Sequence, residues 1–200
     1  METDFADAKG HSPTYQGSPS ITPTGNPAPY GTKCGSFGTA GWVKFPDSSD
    51  WNLTTGEFTV EGWVRPAVGD LGAVEHLMVE HRIGGDGYTF GFHNGKLRFS
   101  ISTGGFFFIG NTVLTAGVPI HFAFCKSGTT VTIFINGTVD KTGPFAYTAP
   151  DVAAMLSIGG DTRYGGIQKF DGKLKDLRIT KGVCRYTAPF TVPADFYPTS

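Results

Sequence analysis

The sequence predicts an all-β fold, two antiparallel sheets packed face to face as a sandwich. Three observations carry this. Glycine and phenylalanine are abundant, 29 and 17 of 200 residues, while leucine and glutamate, which build helices, are scarce. Apolar side chains recur at every second position in segment after segment, the period of a strand with one face in a core. Turn-forming residues punctuate those segments at short, regular intervals.

The elements follow in order. The stretch 18–30 carries Pro19, Pro23, Pro27 and Pro29 and reads as an extended loop or edge segment. Gly41–Phe45 is a short strand, ended by the cluster 46–50, and residues 50–53 form a single helical turn. In 57–66, Phe58, Val60, Gly62 and Val64 face one way; Thr59, Glu61, Trp63 and Arg65 face the other. In 73–82, Glu75, Leu77, Val79 and His81 share a face, which sets Glu80 opposite Glu75 and His76 opposite His81. Tyr88, Phe90 and Phe92 form an aromatic stripe. Asn94-Gly95, a strong hairpin signal, joins it to a strand whose Leu97, Phe99 and Ile101 face inward.

Phe106–Ile109 is apolar on both faces, which a strand with one wet face should not be. Ile120, Phe122 and Phe124 line the next strand; Val131, Ile133 and Ile135 line its partner, before a second Asn-Gly turn at 136–137. Residues 155–158 and 174–180 supply the last clear strands. A proline-bearing tail, 185–200, is extended. The count comes to about twelve strands in a single domain spanning 1–200, large enough to bury a core without disulfides.

Several functions are excluded. Sixteen Lys and Arg face 17 Asp and Glu, net charge −1, with no basic run, so nucleic acid is not a partner. No apolar stretch is long enough to insert in a membrane. Retaining glycoside hydrolysis needs two carboxylates about 5–5.5 Å apart, and no strand carries such a pair two residues apart. No nucleophile elbow, zinc motif or phosphate loop is present, so the reading is non-enzymatic. The first ten residues lack a signal peptide's basic start and apolar centre. Cys125 reads as a buried free thiol, and Cys34 and Cys184 meet if the terminal strands pair.

Candidate sites are few. Phe106, Phe107, Phe108 and Ile109 form an interface for a partner subunit or a sugar ring, or lie under a neighbouring loop. Trp42, Trp51, Trp63 and Tyr164 are carbohydrate-stacking candidates, each also readable as structural.

The segments FTVEGWVRP (58–66), HNGKLRFSI (93–101), PIHFAFCKSGTTVTIFINGTVD (119–140), LSIGG (156–160) and FDGKLKDLRITKGVCRYTAPF (170–190) resemble the concanavalin A-like jelly roll of the laminin-G-like group. That resemblance implies a lectin-like jelly roll and no cofactor beyond Ca²⁺ in loops at a sheet edge. Asp50 and Asp161 are the first candidates for that ion; turn formation is the competing reading of both.

The ending, RITKGVCRYTAPFTVPADFYP (178–198), resembles a variant found in bacteriophage fibre, tail-spike and other virion-surface proteins. It implies a structural or adhesive virion protein (capsid decoration, fibre or tail component). Such a protein would be homo-oligomeric, with other virion proteins and host surface glycans as partners. The alternative is an extracellular lectin module of a secreted cellular protein. The absence of an export signal favours the virion surface.

Overall fold

The alternation along the chain becomes cross-strand pairing in the computed structural model, which describes residues 5–38, 41–53, 56–101, 105–145, 150–160 and 167–195. Its strands are β1 (Thr14–Gly17), β2 (Ser20–Thr22), β3 (Cys34–Ser36), β4 (Gly41–Phe45), β5 (Phe58–Arg65), β6 (His76–Ile83), β7 (Asp86–His93), β8 (Lys96–Ile101), β9 (Phe106–Ile109), β10 (Ile120–Ser127), β11 (Thr130–Ile135), β12 (Thr138–Pro144), β13 (Leu156–Ile158) and β14 (Lys173–Lys181). Two three-residue 3-10 turns, Ser49–Trp51 and Gly69–Leu71, are the helical elements among the described residues. The predicted all-β sandwich is what forms.

Each sheet has seven strands. The first runs β1-β4-β13-β6-β7-β8-β9 and the second β12-β11-β10-β5-β14-β3-β2. Pairing is antiparallel in both. The proline-rich stretch 18–30 contributes β2, at an edge, where a missing ladder donor does no harm.

Register makes the division of faces plain. Across the first sheet, Tyr15, Val43, Ile158, Val79, Phe90, Phe99 and Phe108 stand in one row of paired residues. One position along, the row is Thr14, Lys44, Ser157, Glu80, Thr89, Ser100 and Phe107. The first row points at the other sheet and the second points away, because successive side chains alternate.

The core between the sheets is aromatic. Phe90 and Phe99 stack at 4.6 Å with planes 10° apart, and Phe58 meets both edge-on from the opposite sheet. All three are buried, each contributing roughly 1.5–3 kcal/mol by leaving water.

Three bulges break the simple alternation: between Leu77 and Val79, between Ile133 and Phe134, and between Lys175 and Arg178. The first corrects two expectations. Met78 is the extra residue, so Leu77 pairs with Gly91 on the outer face while Val79 pairs with Phe90 in the core. Glu75 and Glu80 therefore share the outer face. His76 and His81 both belong to the core-facing set, paired with Phe92 and Tyr88, and His81 is buried, not solvated.

The third bulge explains a glycine. Asp176 takes a positive φ of 49° there, and its neighbour strand offers Gly62, where a Cβ would meet Asp176 O and Leu177 Cα at 3.2 Å.

Candidate functional site

Each sheet has an outer face, and the two differ. On the second sheet, the outer row Phe134, Ala123, Glu61 and Arg178 crosses β11, β10, β5 and β14. The strand pattern alone makes this face wet. Instead the chain leaving β14 turns at Gly182 (φ 80°) and runs back over it as a strap. Thr59 Oγ1 donates to Val183 O at 3.0 Å and accepts from the Arg185 amide at 2.9 Å. Tyr186 and Phe190 pack against Ala123, Cys125 and Phe134 in a second, small apolar cluster.

Glu61 lies beneath the strap, wholly buried. Arg178 donates to its Oε1 through Nε (3.0 Å) and Nη2 (2.6 Å), and the Tyr186 hydroxyl donates to Oε2 at 2.9 Å. Arg185 Nε stands 3.8 Å away and His121 Nε2 3.6 Å away. Burial, with the Arg178 charge second, lowers His121 to about 4, so its imidazole is neutral. A carboxylate this neutralised is a structural anchor.

The first sheet's outer face carries a chain of polar groups. Arg98 pairs with Glu75. Gln168 Nε2 donates to Glu75 Oε2 at 3.0 Å and Gln168 Oε1 accepts from Arg82 at 3.1 Å. Arg82 Nε donates to Glu80 Oε1 at 2.9 Å. Thr89 and Ser100 hydroxyls bond each other at 2.7 Å. The row ends at Phe107 on the edge strand β9, 57% exposed, with the Arg98 guanidinium 4.4 Å from its ring centroid. Exposed Val74 and Ile167 flank Glu75 and Gln168 in sequence.

The candidate residues separate accordingly. Phe107 faces out, Phe108 is in the core, and Ile109 is half-buried; Phe106, whose backbone alone is described, opens β9. Trp42 is half-buried on the first sheet's outer face, its indole packed on Gly160, where a Cβ would meet the ring at 2.5 Å. Trp51 is buried and its Nε1 donates to Pro46 O at 2.9 Å, so it presents no ring to a ligand. Trp63 is half-buried on the strapped face, edge-on to His121 at 5.4 Å. Tyr164 and Asp161 lie outside the described residues.

Asp50 pairs with Lys9 at 3.0 Å and stands 3.6 Å from His11. Among the described residues, no group of three or more His, Cys, Asp or Glu is arranged to hold a metal ion. Cys125 is the buried free thiol expected; Cys34 and Cys184 are free thiols too, and Cys184 packs with Cys125, not with Cys34.

Sequence reasoning missed both polar networks. Their signal was there: a Glu or Arg at an outward position of a central strand, which needs a partner if anything covers it.

With the sandwich and its faces defined, comparison with known proteins is decisive at the family level. The model of the concanavalin A-like lectin/glucanases superfamily, of laminin-G type, matches residues 37–185. The chain belongs to this family. A search of curated proteins finds no match.

Solved structures share the concanavalin A-like fold. The binding domain of Paraclostridial Mosquitocidal Protein 1 superposes with a TM-score of 0.68 at 12% identity, covering 86% of this chain and 44% of that one. Domain 4 of AbnA, a GH43 extracellular arabinanase from Geobacillus stearothermophilus solved with arabinotriose, gives 0.62 at 16%, covering 86% and 83%. Botulinum neurotoxin type C, whose cell entry depends on two ganglioside molecules, gives 0.64 at 11%, covering 86% and 43%. The chain spans under half the length of these toxin chains. At these identities the likeness is one of fold.

Proposed function

We propose that this concanavalin A-like domain is a non-catalytic, lectin-like recognition module that contacts glycans through the outer rim of the first sheet. One observation carries the reading: the exposed Phe107 ring beside the Arg98–Glu75–Gln168 cluster. A sugar presents a C–H face and a belt of hydroxyls. The exposed part of the Phe107 ring, on the side away from Arg98, suits the first, and adjoining carboxylate, amide and guanidinium groups suit the second. The arabinotriose and ganglioside partners of the neighbours accord with a saccharide ligand.

Non-catalysis rests on how the carboxylates are used. Glu61, Glu75 and Glu80 are each paired with an arginine, which favours the ionised form and suits no general acid, and Glu61 is wholly buried beneath the strap. Burial raises Asp70 to about 6, but that carboxylate is fully buried and accepts the Ala67 and Asp171 amides.

The test is a glycan array, run with and without EDTA on the native chain and on Phe107→Ala. Binding that falls at least tenfold in the variant supports the reading; no binding in either condition overturns it. Loss with EDTA alone would support Ca²⁺ at Asp50 or Asp161.

The tail 178–198 favours the surface of a bacteriophage particle as the setting, with other virion proteins as neighbours. There Phe106–Ile109 would also serve between copies of the chain; the alternative setting is a secreted cellular lectin. Phe107→Asp separates the roles. If neither oligomeric state by sizing nor particle incorporation changes, the interface role fails.

A further inference from the structure

We propose that Cys125 and Cys184 are a disulfide site that locks the tail strap onto the second sheet. Cys125 sits in β10 on the strapped face, paired with Thr59 of β5 and Thr132 of β11. The Thr59 hydroxyl is bonded to Val183 O on one side and to the Arg185 amide on the other. Those two bonds hold the residue between them, Cys184, over the Thr59–Cys125 pair.

The surroundings agree. Cys184 packs into the cluster of Ala123, Cys125 and Phe134, and its thiol donates to Tyr186 O at 3.4 Å. Cys125 Sγ is 3.7 Å from Thr59 Oγ1. The two thiols also act on each other directly, Cys184 hydrogen-bonding with Cys125, which places their sulfurs side by side.

Cys34 is excluded by position. Its neighbour Gly35 pairs with Leu174 at one end of β14, whereas Thr180, at the other end, pairs with Thr59. Six strand residues separate the two levels, about 20 Å. The Cys34 thiol instead faces Thr22 O and Thr24 O.

The oxidant is a small disulfide such as oxidised glutathione. The Cys184 thiolate attacks one of its sulfurs; the S–S bond breaks and one glutathione leaves, taking up a proton. The Cys125 thiolate then attacks the Cys184 sulfur of the mixed disulfide, and the second glutathione leaves with the second proton. Two protein thiols are oxidised and one glutathione disulfide is reduced to two thiols. Cys184 reacts first because it is half-buried, while Cys125 is 1% exposed. Burial raises both thiols, Cys125 to about 12, so the exchange is slow.

The experiment exposes the full chain to oxidised glutathione, or to dithiothreitol, and maps non-reduced peptides by mass spectrometry. The expected product is one Cys125–Cys184 cross-linked peptide with Cys34 still free to alkylate. Tm should rise by on the order of 5 °C or more, and tryptic cleavage after Arg185 should slow several-fold. Cys184→Ser should abolish all three effects and Cys34→Ser none. A link to Cys34, a glutathione adduct that persists on Cys184, or three free thiols after oxidation each overturns the proposal.

Discussion

Tyr186 lies flat on Phe190, ring centroids 3.5 Å apart and planes 7° from parallel. The same tyrosine donates its hydroxyl to Glu61, so one residue joins the apolar and ionic parts of the strap. Phe190 in turn meets Phe134 at 5.4 Å and His121 at 5.8 Å. The motif R-I-T-x-G-x-x-R-Y-T-x-x-F at 178–190 thus encodes a clasp: Arg178 and Tyr186 hold Glu61, Gly182 turns the chain, and Phe190 closes over the sheet.

Truncating the clasp should cost more than truncating the exposed rim. Phe190→Ala removes the stack and its neighbours and should cost about 2 kcal/mol. Phe107→Ala should stay within about 0.5 kcal/mol. Urea unfolding of the two variants measures the difference, and equal midpoints would refute a stabilising strap.

Arg178→Ala leaves the buried Glu61 without the guanidinium that donates twice to its Oε1 and should cost about 3–5 kcal/mol. Arg178→Lys should recover only part, because an ammonium cannot reproduce the paired Nε and Nη2 bonds. Thermal unfolding ranks the three chains; a lysine variant as stable as the arginine would show that only charge matters.

Acid should pull His121 and Asp70 in opposite directions. His121 is lowered from 6.5 to about 4, so between those values the unfolded chain binds a proton that the folded chain refuses, and stability falls as pH drops. Asp70 is raised from 3.8 to about 6, so over that window the folded chain binds the extra proton and stability rises as pH drops. The two nearly offset each other. Relative to the native chain, Asp70→Asn should lose on the order of 2–3 kcal/mol between about pH 6 and pH 4. Denaturant titrations at several pH values check this, and parallel curves for the two chains would sink it.

Gly137 marks where the strap comes down. It has φ 76°, its carbonyl accepts the Phe190 amide at 2.9 Å, and a Cβ there would collide with Phe190 O. Gly137→Ala combines left-handed strain with that clash and should cost about 1–3 kcal/mol. Amide exchange at Phe190 should quicken in the variant; an unchanged rate would show that the strap yields freely.

The inward rows were legible because alternation is local. Phe58, Phe90, Phe99 and Phe122 announce their face through their immediate neighbours, and all four are in the core. The outer faces were not legible, because what covers them comes from far along the chain. Alternation places Glu61 only on the face away from the core; its partners Arg178 and Tyr186 lie more than a hundred residues further on. The Glu75–Gln168–Arg82–Glu80 chain was hidden for another reason: one extra residue, Met78, flips the parity on which the assignment rested. Phe107 was visible as an anomaly in a doubly apolar strand, but its Arg98 partner was not.

The strap also makes the domain one-sided. With the second sheet's back occupied by its own chain, a library aimed at new specificities belongs on β8, β9 and the segments bearing Glu75 and Gln168. Diversity sown at Thr59, Glu61, Ala123 or Phe134 would be spent on foldability, because those positions answer to Tyr186 and Phe190 before they can answer to any ligand.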